Sequence, residues 1–155
     1  MSRRSILSAA DRISLLALPD TEDELIRHYT FSEADLSLIR QRRGDANRLG
    51  VAVQLCLLRF PGQGLLPDAT VPPLLLQWIG WQLRIDPACW PQYAEREETR
   101  REHLLELRAY LSMEPFRLAH YRQAVLATTE LAMQTDKGIV LATSVFDMLR
   151  HRYII

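Results

Sequence analysis

The densest run of side chains suited to binding chemistry is Arg40-Gln41-Arg42-Arg43-Gly44-Asp45-Ala46-Asn47-Arg48. Guanidinium groups grip phosphate and guanine bidentately, and Gln41 and Asn47 carry amides of the kind that read adenine. If one helix ends before Gly44 and another begins after it, the arginines stand beside free N–H groups, which is a ready phosphate site. The same residues have a plain structural explanation, because arginines at the C-terminus of a helix complement its dipole. That explanation suits two arginines better than four, and both readings stay open.

A second cluster, Arg117, His120, Tyr121, Arg122 and Gln123, opens a later helical stretch, and the stretch before it carries Arg96, Arg100, Arg101 and Arg108. Two helices joined by a short turn fit a helix-turn-helix, whose second helix presents its first residues to the major groove. They are also the commonest way to build any bundle, and geometry alone favours the bundle.

Catalytic chemistry finds no constellation. Glu98, Glu102 and Glu106 share one helical face, but no histidine or second acid is spaced to complete a site. His28, His103, His120 and His151 are scattered singly, which suits core or surface histidines better than metal ligands. There is no Gly-rich phosphate loop, nucleophile elbow or Cys–His pairing. The sequence therefore predicts no catalytic residue, no metal site and no cofactor.

The elements that position these residues read as helices almost throughout. Ser8 with Asp11, Thr21 with Glu24, and Ser32 with Asp35 each look like the start of a helix, the last one stopping near Gly44. Asp45 is expected to cap a fourth helix over 46–59, apolar nearly all round and hence central to its bundle. Residues 61–73 hold four prolines and two glycines and form the best candidate boundary. Pro72 and Pro73 suit the first turn of a helix reaching Leu83, which carries Trp78 and Trp81. Asp86-Pro87 opens a short helical turn containing Trp90, limited by Pro91. A charged amphipathic helix over 95–111 follows, with Leu104, Leu107 and Leu111 on one stripe. Another helix over 116–135 places Leu118, Tyr121, Val125 and Ala132 at helical spacing, and a last one starts near Ile139.

Composition sets the limits. The chain has 155 residues, 19 basic and 19 acidic, so its formal net charge is zero. With 48% apolar and 25% charged residues it is neither a disordered tail nor a low-complexity linker. A chain of this length buries roughly 70% of its unfolded surface without needing a disulfide or metal. Cys56 and Cys89 are the only cysteines and are read as reduced, buried thiols of a cytoplasmic protein. No run of 18 apolar residues exists, so no membrane contact is expected. Ser2-Arg3-Arg4 imitates a twin-arginine export signal, but Asp11 and Arg12 interrupt the apolar stretch such a signal needs. Of the 19 basic residues, Lys137 alone is lysine, a bias that coding composition or phosphate binding explains equally. Ending on Ile154-Ile155 straight after a helix suggests a fragment of something longer.

Five segments carry a family resemblance: 25–31, 39–44, 47–62, 100–104 and 129–138. The second and third read Ile39-Arg40-Gln41-Arg42-Arg43-Gly44 and Asn47-Arg48-Leu49-Gly50-Val51-Ala52-Val53-Gln54-Leu55-Cys56, the latter followed by Leu58-Arg59-Phe60-Pro61-Gly62. The last reads Thr129-Glu130-Leu131-Ala132-Met133-Gln134-Thr135-Asp136-Lys137-Gly138. Together, and in this order, they resemble the N-terminal region of the transposases of the Tn-three family of replicative transposons. The resemblance covers essentially the whole chain, less closely over 63–87. It implies recognition of the terminal inverted repeats. It also implies a catalytic acidic triad of ribonuclease-H-like type far downstream, absent here.

The expectation is an all-α chain of two packed helical subdomains with helix-turn-helix-like units: residues 1–60, a linker over 61–73, and residues 74–155, truncated at the C-terminus. The expected function is sequence-specific binding of double-stranded DNA at transposon ends. Arg40, Arg42, Arg43 and Arg48 would hold phosphates or guanines, and Gln41 and Asn47 base edges. Arg117, His120, Arg122 and Gln123 would form a second contact surface. The rival expectation is a protein–protein module, docking an exposed Trp78 and Trp81 face on the rest of the transposase or on a second copy.

Overall fold

A computed structural model describes residues 5–154. The Ser2–Arg4 stretch of the export-like signal and the terminal Ile155 lie outside the described residues. The described residues are all-α, with no strand and one isolated bridge between Glu114 and Ile154. The elements are α1 (Ala9–Leu15), α2 (Glu22–Tyr29), α3 (Glu33–Arg40), α4 (Asp45–Arg59), α5 (Pro73–Leu83), a 3-10 turn (Pro87–Cys89), α6 (Trp90–Ala94), α7 (Glu97–Tyr110), α8 (Leu118–Ala132) and α9 (Gly138–His151).

The helix starts follow local chemistry. Ser8 with Asp11, and Ser32 with Asp35, form reciprocal capping boxes. Thr21 accepts from the Glu24 N–H, but the Glu24 carboxylate bonds the Asp20 N–H, one residue before the cap. The fourth helix is not capped by Asp45. Gly44 takes the cap position at φ 85°, which only glycine adopts without strain, and Asp45 is the first helical residue. Pro91 lies inside α6 near its start rather than limiting it, a position where its missing N–H costs nothing.

The described chain divides into two compact units, residues 19–111 and residues 5–18 with 112–154. This differs from the expected division. Residues 61–73 lie inside the first unit, because α4 packs against α5, α6 and α7 across that loop. The α7 and α8 helices, considered together as a helix-turn-helix, fall in different units.

In the unit of 19–111, α4 is the central helix, as its apolar sequence predicts. Residues 49–58 are buried without exception, including Gln54. Gln54 satisfies its amide by donating to the Tyr93 hydroxyl at 2.6 Å and the Arg100 carbonyl at 3.0 Å. The Tyr93 hydroxyl lies 3.1 Å from Nδ1 of the buried His103. Burial holds the Tyr93 hydroxyl up at about 12, and burial and then the Arg42 charge hold His103 below the usual imidazole range. The α2 and α5 helices are joined by the Trp78 indole and the Gln82 amide, which both donate to the Tyr29 carbonyl, at 3.1 and 2.8 Å.

In the other unit, α8 packs on α9, and Arg150 of α9 donates to the Leu15 carbonyl of α1 at 2.7 Å. The expected apolar stripe of α8 is reversed. Leu118, Tyr121, Val125 and Ala132 are exposed, and the inward stripe is His120, Ala124, Thr128 and Leu131. Small side chains at Ala124 and Thr128 let the two helix backbones approach closely, which a row of large residues would prevent.

Candidate nucleic-acid interface

The arginine run occupies the α3–turn–α4 junction, with the turn at residues 41–44. The structure sorts the run into two groups. Arg40, Gln41 and Arg43 are exposed, and their side chains make no hydrogen bond or ion pair with other described residues. Arg42, Asn47 and Arg48 are partly buried and shape the turn. Arg42 reaches across to an ion pair with Glu106 of α7, close to His103. Asn47 donates to the Arg43 carbonyl at 2.9 Å, and its own side-chain oxygen is buried with no partner among the described residues. Arg48 donates to the Arg42 carbonyl at 3.0 Å and lies 3.6 Å from Asp45. Because Gly44 has no side chain to cap with, no side chain caps the first-turn N–H groups of α4.

A feature missed by the sequence reading holds this junction in place. Asp35, taken only for a cap residue, is buried, and both its oxygens accept from the Arg59 guanidinium, at 2.7 and 2.8 Å. It also accepts from the Tyr110 hydroxyl at 2.9 Å and the Ser32 N–H at 2.9 Å. Burial pushes its carboxyl up. The Arg59 hydrogen bonds, the Ser32 N–H, the Arg59 charge and the Tyr110 hydroxyl together outweigh burial and hold it at about 2. One carboxylate thus joins α3, α4 and α7. An aspartate three residues after a serine is a cap signal, and nothing in its spacing points to Arg59, which is 24 residues away.

The second cluster lies in the other unit and is described by itself. Arg117 and Arg122 are exposed. His120 is partly buried, its Nδ1 accepting from the Arg117 N–H at 3.0 Å, with Nε2 3.9 Å from Glu114. Gln123 accepts from Arg152. Of the two tryptophans expected to make one exposed face, only Trp81 is fully exposed. Trp78 is half-buried and stacks on Trp81 at 5.4 Å between ring centroids. Among the described residues no group of three or more His, Cys, Asp or Glu is placed to hold a metal, and no helix is long and apolar enough to cross a membrane.

The chain is similar along its length to several transposases. It is 61% identical to the transposase for transposon Tn3926 of Escherichia coli over 100% of the chain and 16% of that protein. It is 59% identical to the transposase for transposon Tn21 of Escherichia coli over 100% of the chain and 16% of that protein. It is 57% identical to the transposase for transposon Tn501 of Pseudomonas aeruginosa over 98% of the chain and 15% of that protein. The chain thus spans about a sixth of the length of these relatives, at their N-terminal end. These matches bear out the resemblance drawn from the five segments. The family model described as "Domain of unknown function (DUF4158)" matches residues 6–155, and the chain belongs to that family.

Proposed function

We propose that this chain binds double-stranded DNA at the terminal inverted repeats of a transposon, as the N-terminal portion of a transposase whose catalytic residues lie elsewhere. The observation that carries the reading is the junction at Arg40, Gln41 and Arg43: two guanidinium groups and an amide, exposed, beside the uncapped N-terminus of α4. Phosphates would sit against Arg40, Arg43 and the α4 N–H groups, and Gln41 is the side chain free to reach a base edge. Arg42 and Asn47 act on the reading indirectly, by fixing the turn. Similarity to transposases supports the choice of DNA over other polyanions.

The test is salt-dependent binding to the end-repeat duplex. Arg40→Ala and Arg43→Ala are each expected to flatten the slope of log affinity against log salt by about one unit, with unchanged melting. Arg42→Ala is expected to lower stability instead, since its guanidinium pairs with Glu106. Unaltered salt slopes in both outward variants would remove the junction from the interface.

A second reading, a module that docks on protein, is favoured by the exposed apolar face of α8 at Leu118, Tyr121, Val125 and Leu126. Under that reading Leu126→Glu lowers the self-association or partner binding measured by sedimentation and leaves DNA affinity unchanged. A change in DNA affinity alone would sink it.

A further inference from the structure

A groove in the unit of 19–111 runs from Trp81 to Arg48, between α3 and the C-terminal end of α5. Two cavities of about 780 and 460 Å³ lie along it, with Leu36, Gln82, Arg84 and Ile85 in the lining of both. Arg40, Arg48 and Arg84 line it, the Arg48 guanidinium being already engaged by the Arg42 carbonyl and beside Asp45, and Trp81 stands at the other end with 73% of its surface exposed. One carboxylate, Asp86, also lies on the rim at the Trp81 end. It is engaged as the cap of the 3-10 turn, accepting from the Ala88 N–H at 2.9 Å.

Two side chains of this groove, Trp81 and Arg84, are not accounted for by burial. A large indole exposed to water gains nothing from burial, and its ring face is open opposite the Trp78 stack. Arg84 ends α5 in the left-handed conformation, φ 57° and ψ 43°, closing the helix with the Ile85 N–H on the Gly80 carbonyl at 2.9 Å. Glycine is the residue that this cap position favours, and any other side chain there is held at a cost. A strained position that keeps an arginine over a groove points to a role for the arginine itself.

We infer that this groove takes an unpaired nucleotide of a DNA strand, its base on the exposed face of Trp81 and its flanking phosphate on Arg84. In a duplex every base face is already stacked, so an exposed indole beside a row of guanidinium groups suits a base that has left its pair. The combined volume accommodates a nucleotide, since pockets for small ligands occupy about 300–1,000 Å³. The inference rests on the DNA-binding reading above and extends it from a duplex junction to a strand that departs from the duplex. Arg40 borders both surfaces, so the test avoids it.

The experiment measures affinity of the 155-residue chain for three probes: the blunt end-repeat duplex, the same duplex with an unpaired ten-nucleotide tail, and a plain oligo-dT strand. The parent chain is expected to prefer the tailed duplex over the blunt one. Trp81→Ala is expected to remove that preference, weakening tailed-duplex and oligo-dT binding about tenfold or more while leaving blunt-duplex affinity unchanged. Arg84→Gly is expected to do the same and to melt no lower than the parent, because glycine fits the cap. Equal binding of tailed and blunt duplexes by the parent, or a preference that survives in both variants, overturns the inference. A flattened salt slope of blunt-duplex binding in Arg43→Ala, with the tail preference intact, separates the duplex junction from the groove. If the parent binds tailed DNA and oligo-dT through Trp81 but shows no affinity for the blunt duplex, the groove stands and the duplex reading falls.

Discussion

Replacing Asp35 with alanine is expected to lower the unfolding free energy of the 19–111 unit by about 3 kcal/mol, measured by urea denaturation. The substitution removes a buried carboxylate that accepts four hydrogen bonds, two of them from one guanidinium. The estimate sits at the low end for a broken buried pair because the Arg59 side chain keeps 27% of its surface in water. The pH dependence has a definite sign. The carboxyl titrates at about 2 in the folded chain, below its ordinary value of 3.8, so the unfolded state binds the proton more readily. The stability it contributes is complete above pH ~4 and is lost as pH falls from there toward ~2. Asp35→Asn, which cannot ionise, should flatten that acid limb. A variant that loses no stability and keeps the same acid limb would show that the hub is incidental.

The second large effect is at Gly50. An added Cβ there would stand 2.3 Å from three ring carbons of Tyr93, far inside van der Waals contact. The ring cannot swing aside easily, because it is buried and its hydroxyl is tied to Gln54 and His103. Alanine is the better helix former by about 1 kcal/mol, so the helix itself favours the change. Overpacking outweighs this, and Gly50→Ala is expected to destabilise the unit by about 2–3 kcal/mol net. A stability equal to or above the parent would mean that α4 and α6 can separate without cost.

Much of the helical layout was legible because it rests on local chemistry. The Ser8 and Ser32 boxes, the apolar run of α4 and the prolines opening α5 act within a few residues of one another. What stayed hidden is what the tertiary packing decides. The α8 stripe was misread because large apolar residues at helical spacing usually face a core, whereas here close approach of α9 selects the small face. Likewise 61–73 looks like a linker by composition, and only the neighbours of α4 show that it is a loop within one unit. At the arginine run, spacing gave the position of the junction. It could not sort Arg40 and Arg43, which point out, from Arg42, which Glu106 on a distant helix draws inward. The groove was invisible for the same reason, since Arg40, Arg48, Trp81 and Arg84 come from three helices and a cap.

The two compact units differ in how they are written into the chain. The 19–111 unit is one uninterrupted segment, whereas the other is assembled from 5–18 and 112–154, the two sides of it. During synthesis from the N-terminus the uninterrupted unit is complete before α8 and α9 exist. Until then α1 lacks α9, against which it packs, and the Leu15 carbonyl must wait for Arg150, 135 residues later. The arginine junction thus belongs to the unit written as one piece, and the other unit is written as two pieces on either side of it in sequence.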